Sequence, residues 1–238
     1  NLNFIDLFAG AGGLSEGFIQ AGFHPVAHVE MNQYAAKTLE TRAAYYYLKS
    51  AGNEAVYYRY LRKEISRDEM LSQVPENELN SVICQEMSED TLTGLFSRID
   101  EIISQSEVGQ IDLIIGGPPC QAYSLVGRAQ SNHMRVPMSD DPRNELYKLY
   151  IQFLLKYKPR MFVFENVMGI TTANQGQTWK DIQESMEQAG YEIESHEQNA
   201  RTFGVLQNRR RMIIVGWLKE TDLRYPTFEE KKADAVVN

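Results

Sequence analysis

Cysteine is scarce: Cys84 and Cys120 are the only two in 238 residues. Two thiols cannot build the disulfide framework that staples small secreted domains, which points to a reducing cytosol. Long apolar runs are missing as well. No stretch approaches the roughly 18 consecutive apolar residues a bilayer span requires. The opening NLNFIDLFAG lacks the basic flank and apolar core of a signal peptide. There are no internal repeats and no low-complexity tracts. Positive charge is in deficit, with 24 Lys+Arg against 32 Asp+Glu and a net charge of -8, which excludes a wholly basic nucleic-acid coat. What is present is ordinary globular material: 43% hydrophobic residues and a mean hydropathy of -0.41. The length fits one large domain or two small ones, with ample core.

The charge is unevenly spread. Residues 120–160 carry seven Lys/Arg and three acids, and residues 201–219 carry five Lys/Arg and no acid. Two basic segments on an acidic body suit a polyanion, although solvated loops would produce the same count.

Short apolar runs alternate with helical stretches, the pattern of a mostly parallel α/β sheet. Strands are expected at 3–7 (NFIDL), 25–30 (PVAHVE), 81–84, 111–115 (IDLII) and 161–165 (MFVFE). The segments 191–198 and 211–217 should complete the sheet as an antiparallel pair. Helices are expected over 14–21, from a cap at Asn32 to about Arg42, near 89–104, over 144–157 and over 179–189. Residues 43–80 read as a helical insertion, and 229–238 as a frayed or truncated end.

Four segments carry chemistry. Phe8-Ala9-Gly10-Ala11-Gly12-Gly13 follows the first strand, where glycines let the backbone turn tightly and approach a ligand at a helix N-terminus. Glu30 ends the second strand, where nucleotide-binding α/β folds place an acid for ribose hydroxyls. The GxGxxxxG spacing departs from the dinucleotide pattern, and a turn built for close packing is the alternative. Gly116-Gly117-Pro118-Pro119-Cys120-Gln121 sets a thiol on a stiff loop beyond a buried strand, with a nucleophile and an inert cysteine both open. Glu165-Asn166-Val167 puts a carboxylate at another strand end, as a cleft acid or a helix cap. Gln207-Asn208-Arg209-Arg210-Arg211 enters the last strand. Alternation there sends Arg209 and Arg211 to one face, whether as a site or as a solvated charge run.

FAGAGG, Glu30, GGPPCQAYS, FENV and QNRRR, in this order and spacing, resemble the DNA (cytosine-5)-methyltransferases, over residues 3–217. The resemblance implies an α/β, Rossmann-like fold dependent on S-adenosyl-L-methionine (SAM), with a mostly parallel seven-stranded sheet and helices on both faces. It implies that Phe8, Gly10, Gly12 and Gly13 cradle SAM, that Glu30 holds its ribose and that Met31 packs on its adenine. Glu86 and Met87 stand where the family often has Asp-Ile reading the adenine amino group, a departure. Pro119 and Leu146 would line the same pocket, while Gln121, Ser124, Arg128 and Gln207 would face DNA.

The implied mechanism is addition of the Cys120 thiolate to carbon 6 of a flipped-out cytosine, with Glu165 at ring nitrogen 3 and the amino group. Arg209 and Arg211 would steady the pocket. Carbon 5 then takes the SAM methyl, leaving S-adenosyl-L-homocysteine (SAH), and no metal is implied. Residues 1–220 would be the catalytic domain, with a catalytic loop about 118–143, and 221–238 would lead to a recognition region beyond the chain. The expected setting is a bacterial cytoplasm, at the nucleoid, as a monomer acting on double-stranded DNA. A separate recognition segment or a cognate restriction endonuclease are the further partners. A fragment, an isolated core and one part of a split enzyme all fit the ending 21 residues after Trp217. Rival readings are the tRNA-methylating branch of the family and an incompetent SAM-binding module.

Overall fold

The computed structural model describes residues 2–106, 108–119 and 146–229. The chain divides into two compact units, Asn1–Gly109 and Gln110–Asn238.

In the first unit, β1 (Asn3–Leu7), β2 (His24–Glu30) and β3 (Val82–Cys84) pair in parallel in the order β3-β2-β1. Leu7 is in register with Val29 and Glu30 with Cys84, so all three strands end along one edge. Phe4, Ile5, Leu7, Val26, Ala27 and Val29 are buried, as expected of strands covered on both faces. Each such side chain contributes roughly 1.5–3 kcal/mol. Helix α1 (Gly13–Gln20) follows β1, and α2 (Gln33–Ser50) follows β2. Asn32 caps α2 as expected, its side chain accepting from Tyr34 N at 2.9 Å and Ala35 N at 3.1 Å. The helix runs past Arg42, because no breaker occurs before Ala51-Gly52, where Gly52 takes φ 70°.

The insertion is therefore shorter than the sequence suggests, and it holds α3 (Glu54–Leu61), α4 (Arg67–Leu71) and α5 (Glu76–Leu79). Ala44, Leu48, Val56, Met70 and Val74 form a core of its own beneath Tyr47, Tyr57 and Tyr60. Ser66 and Glu69 close a capping box at the start of α4. Helix α6 (Glu89–Gln105) completes the unit.

The second unit has β4 (Leu113–Gly116), α7 (Leu146–Tyr157), β5 (Met161–Asn166), α8 (Gln177–Gln188), β6 (Tyr191–Asn199) and β7 (Arg210–Leu218). Its strand order is β4-β5-β7-β6; β4 and β5 are parallel, and β7 is antiparallel to both neighbours. Two 3-10 turns over 168–176, unforeseen from the sequence, join β5 to α8. Tyr150 of α7 reaches under the sheet, its hydroxyl 3.1 Å from the Ile114 carbonyl and 3.2 Å from that of Val163. Seven strands with parallel pairing except at β7 make the chain α/β, as expected. Among the described residues, no helix is long and apolar enough to cross a membrane.

Candidate active site

The first unit builds a glycine-rich turn between β1 and α1. Phe8 takes φ 57°, a left-handed conformation that costs a non-glycine residue on the order of 1 kcal/mol and tends to mark functional turns. Gly12, at φ 82°, is the N-cap of α1 and has no side chain to spend on the helix's first N–H groups. A Cβ there would lie 2.8 Å from Leu39 Cδ2 and 3.2 Å from Arg42 Nε, so another residue would have to displace both side chains and bear the strain of the positive φ. Gly10 has open space where its Cβ would be. The turn's backbone is thus presented outward, with helix N–H groups able to meet an anionic or polar ligand.

Glu30 is fixed beside this turn by two backbone donors. Gly10 N donates to Oε2 and Asn32 N donates to Oε1, each at 2.7 Å. Each oxygen keeps a further lone pair, so an oriented carboxylate stands ready for two hydroxyls. Next to it Met31 is 61% exposed, an apolar surface available to a flat ring. These features fit a nucleoside-bearing ligand such as SAM: a cradle, a diol acceptor and an apolar plate on one strand edge. Glu86 is exposed, and its carbonyl accepts from the Thr91 hydroxyl at 2.7 Å. Met87 is 5% exposed and belongs to the core. Of this pair, the acid is turned outward and the thioether inward.

In the second unit β4 ends at Gly116 and runs into Gly117-Pro118-Pro119. This loop is clasped to the end of β5. Asn166 Nδ2 donates to the Pro118 carbonyl at 3.3 Å. A Cβ on Gly117 would fall 1.9 Å from the Glu165 carbonyl oxygen and 3.1 Å from its Oε2. Glu165 Oε1 accepts from Arg211 Nε at 2.8 Å and from Arg209 Nη2 at 3.4 Å. Arg210 turns the other way and pairs with Glu197 of β6. Alternation along the extended entry to β7 thus puts Arg209 and Arg211 on one carboxylate, as the sequence pattern requires.

Gln207 is exposed, its carbonyl accepting from Arg209 N at 3.0 Å, and Leu146 opens α7 half-buried. Pro119 is half-buried. Cys120, Gln121, Ser124 and Arg128 lie outside the described residues. Among the described residues, no cluster of His, Cys, Asp and Glu could hold a metal ion. Sequence reasoning placed Gly117 and Asn166 inside its candidate segments without giving either a role of its own, and it missed Asp6.

A family model described as C-5 cytosine-specific DNA methylase matches residues 2–54 and 71–237. The unmatched stretch, 55–70, runs from α3 through the following turn into α4. The Type II methyltransferase M.Bpa9945I of Bacillus paralicheniformis is 39% identical, covering 96% of this chain and 56% of its own. M.XorII of Xanthomonas oryzae, also a Type II methyltransferase, is 33% identical over 98% of this chain and 44% of its own. The chain spans about half the length of the curated relatives it matches. Among solved structures, a protein described as a DNA modification methyltransferase encoded within an E. coli prophage aligns with a TM-score of 0.58 and 25% identity. That match covers 95% of this chain and 49% of the other. The Entamoeba histolytica methyltransferase EhMeth shares the fold at a TM-score of 0.52 and 17% identity, covering 98% of this chain and 57% of its own.

Proposed function

This chain belongs to the C-5 cytosine-specific DNA methylase family, and from that premise we propose that it carries the catalytic part of a bacterial DNA modification methylase. The reaction is transfer of a methyl group from SAM to carbon 5 of a cytosine in double-stranded DNA. The observation that carries this reading is the Glu165 carboxylate, held by Arg211 and Arg209 against the Gly117–Pro119 loop that leads into Cys120.

Carbon 5 of cytosine is a poor nucleophile, and the residues answer that difficulty. Unstacking the base costs a few kcal/mol and brings its Watson–Crick edge within reach of a strand-end carboxyl group. Glu165 hydrogen-bonds ring nitrogen 3 and the amino group as the Cys120 thiolate adds to carbon 6, favouring protonation at nitrogen 3 so that negative charge does not build on the ring. The pair of carbon 5 that results is enamine-like. SAM, when bound, supplies an electrophilic methyl group on a sulfonium. Phe8, Gly10, Gly12, Gly13, Glu30 and Met31 hold and orient it, leaving SAH after transfer. Loss of the carbon 5 proton to a base then expels Cys120 as thiolate. Arg211 and Arg209 keep Glu165 aimed through their hydrogen bonds to its Oε1. The positive charge of segments 120–160 and 201–219 suits the phosphates of DNA. The setting is a bacterial cytoplasm, at the nucleoid.

A covalent trap tests this. Duplex DNA containing 5-fluorocytosine is incubated with SAM and the protein, beside a Cys120→Ser control, and run on a denaturing gel. Fluorine cannot leave as a proton does, so an adduct that survives denaturation and is absent from the control is expected. An adduct formed equally by Cys120→Ser, or methyl transfer to tRNA and not to DNA, would overturn the reading.

A further inference from the structure

Asp6 stands two positions before the strained Phe8, on β1, and is 1% exposed. Neither of its carboxyl oxygens has a hydrogen-bond partner. Its register partner on β2 is His28, 5% exposed, whose Nδ1 is unpartnered too. Register partners on adjacent parallel strands point to the same face, so the first unit holds two orphaned polar groups side by side. Orphaned buried groups are costly, and a hydrophobic pair would pack the same space without that cost.

The surroundings are mixed in charge. Glu30 lies along β2, Ser15 of α1 donates its hydroxyl to the Gly12 carbonyl at 3.2 Å, and Arg42 of α2 sits beside His28 and pairs with Glu16 of α1. Burial, resisted by Ser15 and reinforced by the charge of Glu30, pushes the Asp6 carboxyl up to about 8. Burial and the charge of Arg42 push the His28 imidazole down to about 4. At neutral pH an uncharged carboxylic acid therefore lies next to an uncharged imidazole, beneath the turn and beside the acid assigned above to SAM.

We propose that Asp6 senses the charge of the cofactor, releasing its proton when the SAM sulfonium settles on the turn above it and keeping it when the uncharged thioether of SAH is there. This rests on the reading of Phe8–Gly13 and Glu30 as the SAM site. The step is a single proton transfer: the Asp6 O–H bond breaks, the carboxylate keeps the electron pair, and the proton is taken up by solvent and buffer. The Asp6 neighbours His28 and Ser15 line a cleft of about 480 Å3 together with Arg42 and Tyr46, so solvent comes close to the pair. SAM carries one more positive charge than SAH, so an ionised Asp6 favours substrate over product. Asp6 is thus a positioning and discriminating group that touches neither the methyl nor the base.

Calorimetric titration of the 238-residue chain, in two buffers of different ionisation enthalpy at about pH 7.5, counts the protons. The ligands are SAM, SAH and an analogue with an amine in place of the sulfonium, each corrected for its own α-amino group. The expected result is release approaching one proton with SAM and with the amine, and none with SAH. From about pH 6.5 to 8.5 the preference for SAM over SAH should grow about tenfold as Asp6 becomes the ionised partner of the sulfonium. Asp6→Asn should abolish both effects while still binding SAM. Equal release with SAM and SAH in the wild-type chain overturns the inference even if the variant does not fold, and so does undiminished release in a folded Asp6→Asn. A chain that binds no SAM at any pH overturns the cofactor reading instead, and this inference with it.

Discussion

The backbone of Glu165 occupies the place that a side chain at Gly117 would need, with the carbonyl oxygen 1.9 Å from an added Cβ. Two strand ends are pressed together there, and the loop leading to Cys120 is stiffened from both sides. Gly117→Ala should lower stability by about 1–3 kcal/mol, as overpacked sites do. Methyl transfer should fall further than the folded fraction does, because the same point lies 3.1 Å from the Glu165 carboxylate. Urea unfolding and tritium transfer from labelled SAM, on the same preparation, check both. A fully active Gly117→Ala would show that the contact relaxes freely.

Glu165→Gln keeps the shape and removes the acid. Methyl transfer should drop about 100-fold or more, the usual worth of positioned proton transfer. Stability should change by less than about 1 kcal/mol, since the ion pairs with Arg211 and Arg209 are partly solvated. SAM affinity measured by calorimetry should stay within about threefold of wild type, given that the change leaves the turn and Glu30 intact.

Gly12→Ala meets two obstacles at once, a φ of 82° and Leu39 Cδ2 at 2.8 Å. Leu39 and Arg42 must give way to the methyl group, and the left-handed turn is strained by any side chain. SAM binding should weaken at least about tenfold, and circular dichroism should still report a folded α/β chain. Glu30→Ala should weaken SAM by a similar factor through lost charged hydrogen bonds.

The buried acid and imidazole set the pH profile of stability. Folded Asp6 keeps its proton to about 8 whereas the unfolded chain loses it near 3.8, so this group erodes stability as pH rises across that interval. Folded His28 sheds its proton near 4 rather than 6.5, so it adds stability as pH rises from 4 to 6.5. The two slopes offset one another below 6.5, leaving a decline of about 2 kcal/mol between pH 6.5 and 8. Urea unfolding should show that decline in the wild type and not in Asp6→Asn. A wild-type stability that rises over the same interval would contradict it.

Met70 is fully buried in the insertion's own core. Met70→Ala should cost about 2–5 kcal/mol locally. Hydrogen exchange should accelerate in α3–α5 and leave β1 and the end of β2 protected, with SAM affinity unchanged.

How much of this was legible beforehand depends on the kind of signal each residue leaves. β1 and β5 were plain because five or six apolar-rich residues end at a turn glycine or a polar cluster. The antiparallel β6 and β7 showed in their spacing, and the shared face of Arg209 and Arg211 followed from the pleat alone. Helix α2 was cut short because Ala43, Ala44 and three tyrosines look like the start of something new, whereas the helix ladder has no reason to stop there. Asp6 left no mark, since one acid inside NFIDL reads as the polar beat of a strand. Its lack of partners comes from packing by α1 and β2, and a single chain's letters do not carry that. The clasp of Gly117 on Glu165 joins points 48 residues apart and is a matter of distance only.

Strand β7 runs against β5, and that single reversal has a consequence in time. In the second unit, β4 and β5 bring their exit residues, the proline loop and Glu165, to one edge, so those parts are made first. β7 brings its entry residues there, and among the described residues it is the last strand to be made. A nascent chain that has reached Gln198 already owns Glu165 and the proline loop, yet holds neither arginine. The guanidinium groups that hold Glu165 thus come with β7, and the carboxylate has neither of them until that strand docks.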